Sequence, residues 1–300
     1  MTLGNRVLAA LAIGGIIGFA SEMQFYITPE AALAPLDILY TWLFYSFTAW
    51  LGLGLAAWAG VRGWVALFLV GCIFGWVIEG IVVAMVYEAL PWTLAFTAMS
   101  WHALVSGVLV LGVGRIAVHW PWYKAAGYWA ALGIAHGIWG QFWVIGRTDM
   151  PADSFTYAYL LIPGLIVPIA HIVLDRLPTV YPYKRAELLI LASLTTLLWA
   201  AQMAASLNPA YMVLPLAILP TLWILRRRQR SQGVQLTLAP APAWRHFLFM
   251  LTPALTAIIA TQGWQRFQNI ESNWPIALLL TTIALCIYLF AAIAAVRNPK

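Results

Sequence analysis

The chain has 300 residues, of which 63% are hydrophobic and only 9% are charged. Soluble domains carry about 25% charged residues, so this composition excludes a protein surrounded by water. The net charge is +6 at pH 7, but Lys and Arg lie mainly in short connections between apolar stretches. That placement indicates membrane topology and not nucleic-acid binding.

Ten stretches of the chain are long and apolar enough to cross a bilayer, which takes about 20 residues. They are predicted at 7–27, 36–60, 64–87, 93–116, 125–146, 155–174, 188–207, 210–225, 247–264 and 275–296. No small-residue cleavage site follows the first stretch, so we expect a retained helix and not a signal peptide. The sequence predicts an all-α, polytopic integral membrane helical bundle of about ten transmembrane helices.

The whole chain, 1–300, is predicted to form one transmembrane domain. Five helices in each half would permit inverted halves, 1–150 and 151–300, although the halves show no sequence similarity. If the N-terminus is cytoplasmic, Arg147 and Arg266 are the only basic residues in outer loops. Basic residues favour the cytoplasmic side, so both termini are predicted to lie inside.

The longest connection, 226–245, is predicted to be a cytoplasmic loop with a basic run followed by Ala-Pro repeats. The remaining connections are short, and no large extramembrane domain interrupts the bundle. Such a compact chain is typical of a multi-pass protein of a bacterial inner membrane. We therefore expect the lipid bilayer to be its main partner.

A buried acid, Glu79, lies well inside the third apolar stretch. An ionised carboxylate there costs about 2.5–3.5 kcal/mol on insertion scales, so a partner or a proton must offset the cost. At about 1.5 Å of rise per residue, His102 and His136 in the next two helices lie at similar depths. We predict that Glu79, His102 and His136 form a polar site that relays protons, binds a divalent metal or acts as a general base on water, and a structural hydrogen-bonded cluster joining three helices is the alternative.

Further polar residues lie near the predicted site. Ser106 lies four residues after His102 on the same helix face, and Glu22 and Gln141 approach from the outer side. These three are predicted to line a substrate or proton path. A second constellation, His171 and Asp175, is spaced by four residues on one helix face near the inner side.

The order of three short motifs resembles the CAAX-protease-like (CPBP) family of intramembrane peptidases. The motifs are the intramembrane Glu79, the spacing from Leu132 to His136, and His171 followed by Asp175. The resemblance implies that the glutamate activates a water against a peptide bond while the histidines position water and oxyanion. The chain lacks the family's paired glutamates and following Arg, and it has Leu132 in place of a Phe.

The number of helices and the cytoplasmic termini also resemble the general plan of the drug/metabolite transporter superfamily. The sequence favours transporter-like handling of a small molecule or a proton. An intramembrane hydrolase and a non-catalytic subunit of a larger membrane complex are the alternatives, so enzymatic activity is left open. We expect no nucleic-acid partner. A small-molecule or lipid-like ligand is left open, and the sequence identifies neither a cofactor nor a metal.

Overall fold

A computed structural model describes residues 1–28, 35–147, 149–228, 233–235, 239–267 and 270–297, which are almost entirely helical. Nine helices in this part of the chain are long and apolar enough to cross a membrane. With one further helix, α5, they are α1 Leu3–Tyr26, α2 Leu36–Ala59, α3 Trp64–Val82, α4 Trp92–Ala117, α5 Trp122–Trp139, α6 Asp153–Arg176, α7 Arg185–Ser206, α8 Pro209–Arg227, α9 Ala243–Arg266 and α10 Asn273–Arg297. The prediction of an all-α polytopic bundle is confirmed.

The helix α5 lies where the fifth transmembrane stretch was predicted, but it is not among the nine strongly apolar helices. Lys124 and His136, together with several small and aromatic residues, lower its hydropathy. A 3-10 segment, Gly140–Val144, continues it. α5 packs along α9, and the prediction of about ten helices therefore corresponds to nine apolar helices and this more polar one.

Three helices contain π-helical segments, in which each backbone hydrogen bond spans five residues instead of four. The segments are Phe19–Met23 in α1, Ile78–Val82 in α3 and Phe96–Val113 in α4. Most π-helices are single turns, so the length of the segment in α4 is unusual. These segments carry the polar residues of the bundle interior described below.

The centre of the bundle is the contact between α3 and α4, with α1 and α2 beside it. A Cβ atom added at Gly75 would lie 2.5 Å from the carbonyl oxygen of Ala98, and one at Gly71 would lie 2.8 Å from Ala103 Cα. Small residues let helices approach closely in lipid, where packing drives their association. α3 is the most enclosed helix, with 83% of its most apolar window buried.

Several helices are interrupted. α6 consists of Asp153–Gly164 and Ile166–Arg176, and α9 begins with Ala243–His246 and the 3-10 segment Phe247–Met250 before Leu251–Arg266. α8 begins with a 3-10 segment at Pro209–Met212. α1 packs against α6 and α5 against α9, so the two halves of the chain share an extensive interface.

Two short strands lie at the end of the bundle that is predicted to be cytoplasmic. β1, Val180–Tyr181, pairs antiparallel with β2, Val234–Gln235, and the amide of Gly233 donates to the carbonyl of Ala57 at 2.7 Å. These bonds attach part of the predicted loop 226–245 to α2 and to the segment after α6. Residues 229–232 and 236–238 of that loop lie outside the described residues.

Candidate functional site

The centre of the candidate site is a hydrogen-bonded pair on the neighbouring helices α3 and α4. Glu79 Oε1 lies 2.7 Å from His102 Nε2, and both residues are buried. A charge removed from water is stabilised only when it is paired and hydrogen-bonded. His102 therefore supplies the partner that the burial of Glu79 requires.

Two hydroxyl groups extend the pair. Ser21 Oγ of α1 lies 2.9 Å from His102 Nδ1 and donates to Ser106 Oγ at 2.7 Å. Because the proton of Ser21 points to Ser106, Ser21 accepts from an N–H at His102 Nδ1. His102 Nε2 then shares one proton with Glu79, either as imidazolium with carboxylate or as neutral imidazole with carboxylic acid. That proton can pass between the two atoms while the other hydrogen bonds stay in place.

All four members of this cluster lie in π-helical segments. Ser21 lies in the segment of α1, Glu79 in that of α3, and His102 and Ser106 in that of α4. π-helical turns are frequently found at functional sites. Hydropathy and spacing predict neither a π-helix nor the contact of Ser21 with His102 on a distant helix.

A second carboxyl group lies beside the pair. The hydroxyl of Tyr45 on α2 donates to Glu22 Oε1, and the ring of Tyr45 packs against the ring of His102 with centroids 5.9 Å apart. Tyr45 is buried, whereas Glu22 is partly exposed. Tyr45 thus connects the neighbourhood of Glu22 to His102, a role that the apolar sequence around it did not indicate.

His136 makes no described hydrogen bond to Glu79 or His102. Its Nδ1 lies 2.7 Å from the carbonyl oxygen of Leu132 on its own helix, and its ring packs edge-on against Trp101. Successive residues on a helix project in different directions, so Trp101 contacts α5 while His102 contacts α1 and α3. The three predicted residues are arranged as one pair and one separate histidine.

Gln141, predicted to line a substrate or proton path, lies at the contact between α5 and α9, where it also lines a groove between these helices. Its amide donates to the carbonyl oxygens of Gly137 at 2.7 Å and Ile259 at 3.2 Å. The bond to Ile259 holds the end of α5 against α9, whereas the bond to Gly137 lies within α5 and its continuation, and neither involves the Glu79 and His102 pair.

The second predicted constellation is part of an ion network at the other end of α4. Asp175 Oδ1 lies 2.6 Å from Arg115 Nη2, and Asp175 Oδ2 lies 2.8 Å from His246 Nε2. Arg115 also donates to the carbonyl of His171, and the rings of His171 and His246 stack with centroids 5.8 Å apart. This network joins α4, α6 and α9, and the amide of Ala241 donates to Asp175 as well.

A third polar cluster surrounds Glu187 at the start of α7. Arg6 Nη2 lies 2.7 Å from Glu187 Oε2, and Trp50 and Tyr181 donate to Oε1 at 2.7 and 2.9 Å. Burial raises the pKa of the Tyr181 phenol, as does its bond to Glu187, so the phenol remains a donor. The carboxylate is satisfied by three partners, which indicates a structural role.

The residues behind the CPBP resemblance do not form one hydrogen-bonded site. Glu79 bonds to His102, His136 bonds within its own helix, and Asp175 bonds to Arg115 and His246. In the described parts of the chain, no group of three or more His, Cys, Asp or Glu residues is placed to hold a metal ion.

No family model, curated protein or solved structure matches this chain.

Proposed function

We propose that this multi-pass protein resides in a bacterial inner membrane and acts in a transporter-like way on protons, with Glu79 and His102 as the proton-exchanging pair. The observation that carries the proposal is the buried contact of 2.7 Å between Glu79 Oε1 and His102 Nε2. Imidazole and carboxyl groups can each accept and release a proton, so a hydrogen-bonded pair of them can hold a proton inside the bundle.

The surroundings of the pair favour a proton over a larger solute. The rings of Tyr45 and Phe74 enclose His102, and hydrogen bonds continue to Ser21 and Ser106. One described groove lies between α5 and α9 and another near the ends of α2 and α8, and Glu79 lines neither. A proton can pass between polar side chains through intervening water, whereas a small molecule needs a cavity of several hundred cubic ångströms.

Glu22 provides a second group for proton exchange next to the pair. It is partly exposed, unlike Glu79, and its bond with Tyr45 places it close to the ring of His102. In the proposed function, Glu22 exchanges protons with the outer side and the pair holds the proton inside the bundle.

Proton flux into proteoliposomes tests the proposal. The protein is reconstituted with a pH-sensitive dye inside the vesicles, and a potassium diffusion potential drives protons inward. We expect the wild-type protein to acidify the interior faster than empty vesicles. Glu79→Gln should abolish this flux because an amide cannot accept the proton shared with His102.

Glu88→Gln is the matched control, since Glu88 is an exposed acid just after α3 and lies outside the cluster. It should keep the wild-type flux. Equal flux in wild-type and Glu79→Gln vesicles contradicts the proposal. A complete absence of wild-type flux from correctly folded protein contradicts it as well, and favours the alternative of a non-catalytic subunit.

A further inference from the structure

An apolar groove of about 520 Å³ lies between α5 and α9, away from the Glu79 and His102 pair. Its walls include Ile138, Ile258, Phe267 and Ile270, and the exposed fractions of Ile138 and Phe267 are 49% and 60%. Within a bilayer, apolar walls of this kind lie against lipid acyl chains. A groove of this composition on a membrane helix therefore suits an acyl chain.

The polarity of the groove changes along α9. Arg266 ends the helix and is exposed, and its Nη2 donates to Gln262 Oε1 at 3.2 Å. None of the ion pairs among the described residues includes Arg266. Ile259 lies seven residues earlier, about 10 Å deeper along the helix. A basic rim above an apolar channel matches the order of phosphate and acyl chain in one bilayer leaflet.

We propose that this groove binds one anionic phospholipid, with an acyl chain along Ile138, Ile258 and Ile259 and the phosphate at Arg266. The planar guanidinium group binds phosphate oxygens through two parallel hydrogen bonds. Arg266 is one of two basic residues on the predicted outer side, so few other positions on that side can attract an anionic headgroup.

Lipid retention tests this site. The protein is reconstituted in nanodiscs with equal amounts of phosphatidylglycerol and phosphatidylcholine, and the lipids that remain bound are counted by native mass spectrometry. We expect the wild-type protein to retain phosphatidylglycerol preferentially. Arg266→Gln should weaken that binding about five-fold, the attraction expected of one basic residue near an anionic lipid. Ile258→Trp should fill the groove and remove both lipids.

Two matched controls separate this site from general lipid contact. Arg147→Gln removes the other basic residue on the predicted outer side, and Leu289→Trp adds the same ring to the lipid-facing surface of α10. Both should retain phosphatidylglycerol as the wild-type protein does. Equal retention of the two lipids overturns the proposal, as does retention in Arg266→Gln or Ile258→Trp that equals its control. Glu79→Gln should retain the lipid whatever its proton flux, so the two proposals can fail separately.

Discussion

The carboxyl group of Glu79 has one described partner, the imidazole of His102, and its second oxygen is buried without a hydrogen bond within the described residues. The bundle must therefore stabilise Glu79 through a single contact. Removing one member of a buried charged pair is usually much more costly than replacing both members with apolar residues.

This asymmetry predicts that His102→Leu is less stable than the double variant in which Glu79 and His102 are both replaced by Leu. His102→Leu leaves the carboxyl group alone and should lower the free energy of unfolding by about 3–5 kcal/mol. The double variant Glu79→Leu and His102→Leu should lose less than His102→Leu alone. Denaturant unfolding in one detergent, with both single variants completing a double-mutant cycle, gives the coupling energy. Additive losses would mean that the two side chains do not stabilise each other.

Depth and chain order predicted that Glu79 and His102 occupy the same layer, but they did not predict which side chains would meet. Ser21 and Tyr45 belong to α1 and α2, and the spacing of a single helix contains no information on a contact between distant helices. His136 is at the predicted place in α5, but its ring contacts Trp101 and not the adjacent His102. The direction in which each side chain projects therefore determined whether it contacts the Glu79 and His102 pair.

At the scale of the helix, close packing depends on glycines at particular positions. In α5, a Cβ atom at Gly133 would lie 2.5 Å from the carbonyl oxygen of Thr252 on α9, whereas one at Gly127 would meet nothing within 4 Å. The same helix therefore contains one glycine that is required for packing and one that is not.

The two glycines of α5 make a matched pair for substitution. Gly133→Ala should lower the free energy of unfolding by about 1–3 kcal/mol because the added methyl group separates α5 from α9. Gly127→Ala should raise it by about 0.5–1 kcal/mol because alanine favours the helix. Thermal unfolding in a fixed detergent compares them, and equal effects would show that α5 does not pack closely on α9.

Apolar periodicity predicted where the helices lie, but it did not predict their local geometry. The π-helical segments change the direction of side chains relative to an α-helix, and α4 is π-helical from Phe96 to Val113. Ser106 was predicted to share a face with His102 on α-helical spacing. In the structure Ser21 bonds to both of them and so connects them.

At the scale of the whole molecule, the topology depends on whether α5 crosses the bilayer. α5 lies outside the nine strongly apolar helices of the described residues. If it crosses, both termini lie on the same side of the membrane, which the basic residues predict to be the cytoplasm, and if it does not, every later helix has the opposite orientation.

Cysteine labelling on the two sides of α5 tests this topology. In a variant without Cys72 and Cys286, Asp149→Cys should react with a membrane-impermeant maleimide added to intact cells. His119→Cys should react only after the membrane is permeabilised. Both residues are exposed, so access to the reagent depends on the side of the membrane. Labelling of both positions from the same side would show that α5 does not cross.

Composition and hydropathy were sufficient to predict a multi-pass helical bundle, because only a lipid environment accommodates so few charges. They could not predict the arrangement of the helices, because apolar faces interact almost equally with lipid and with one another. Small residues and buried polar groups decided which helices meet, as at Gly75 and at Asp175.

The helix α7 has only 11% of its most apolar window buried, yet both of its ends are fixed by hydrogen bonds. Glu187 attaches one end to Arg6 and Trp50, and Gln202 near the other end donates to the carbonyl of Ile81. Ile81 lies two residues after Glu79 in the same π-helical segment. A tilt of α7 that follows a change in bilayer thickness would therefore act on the backbone segment that carries the buried acid.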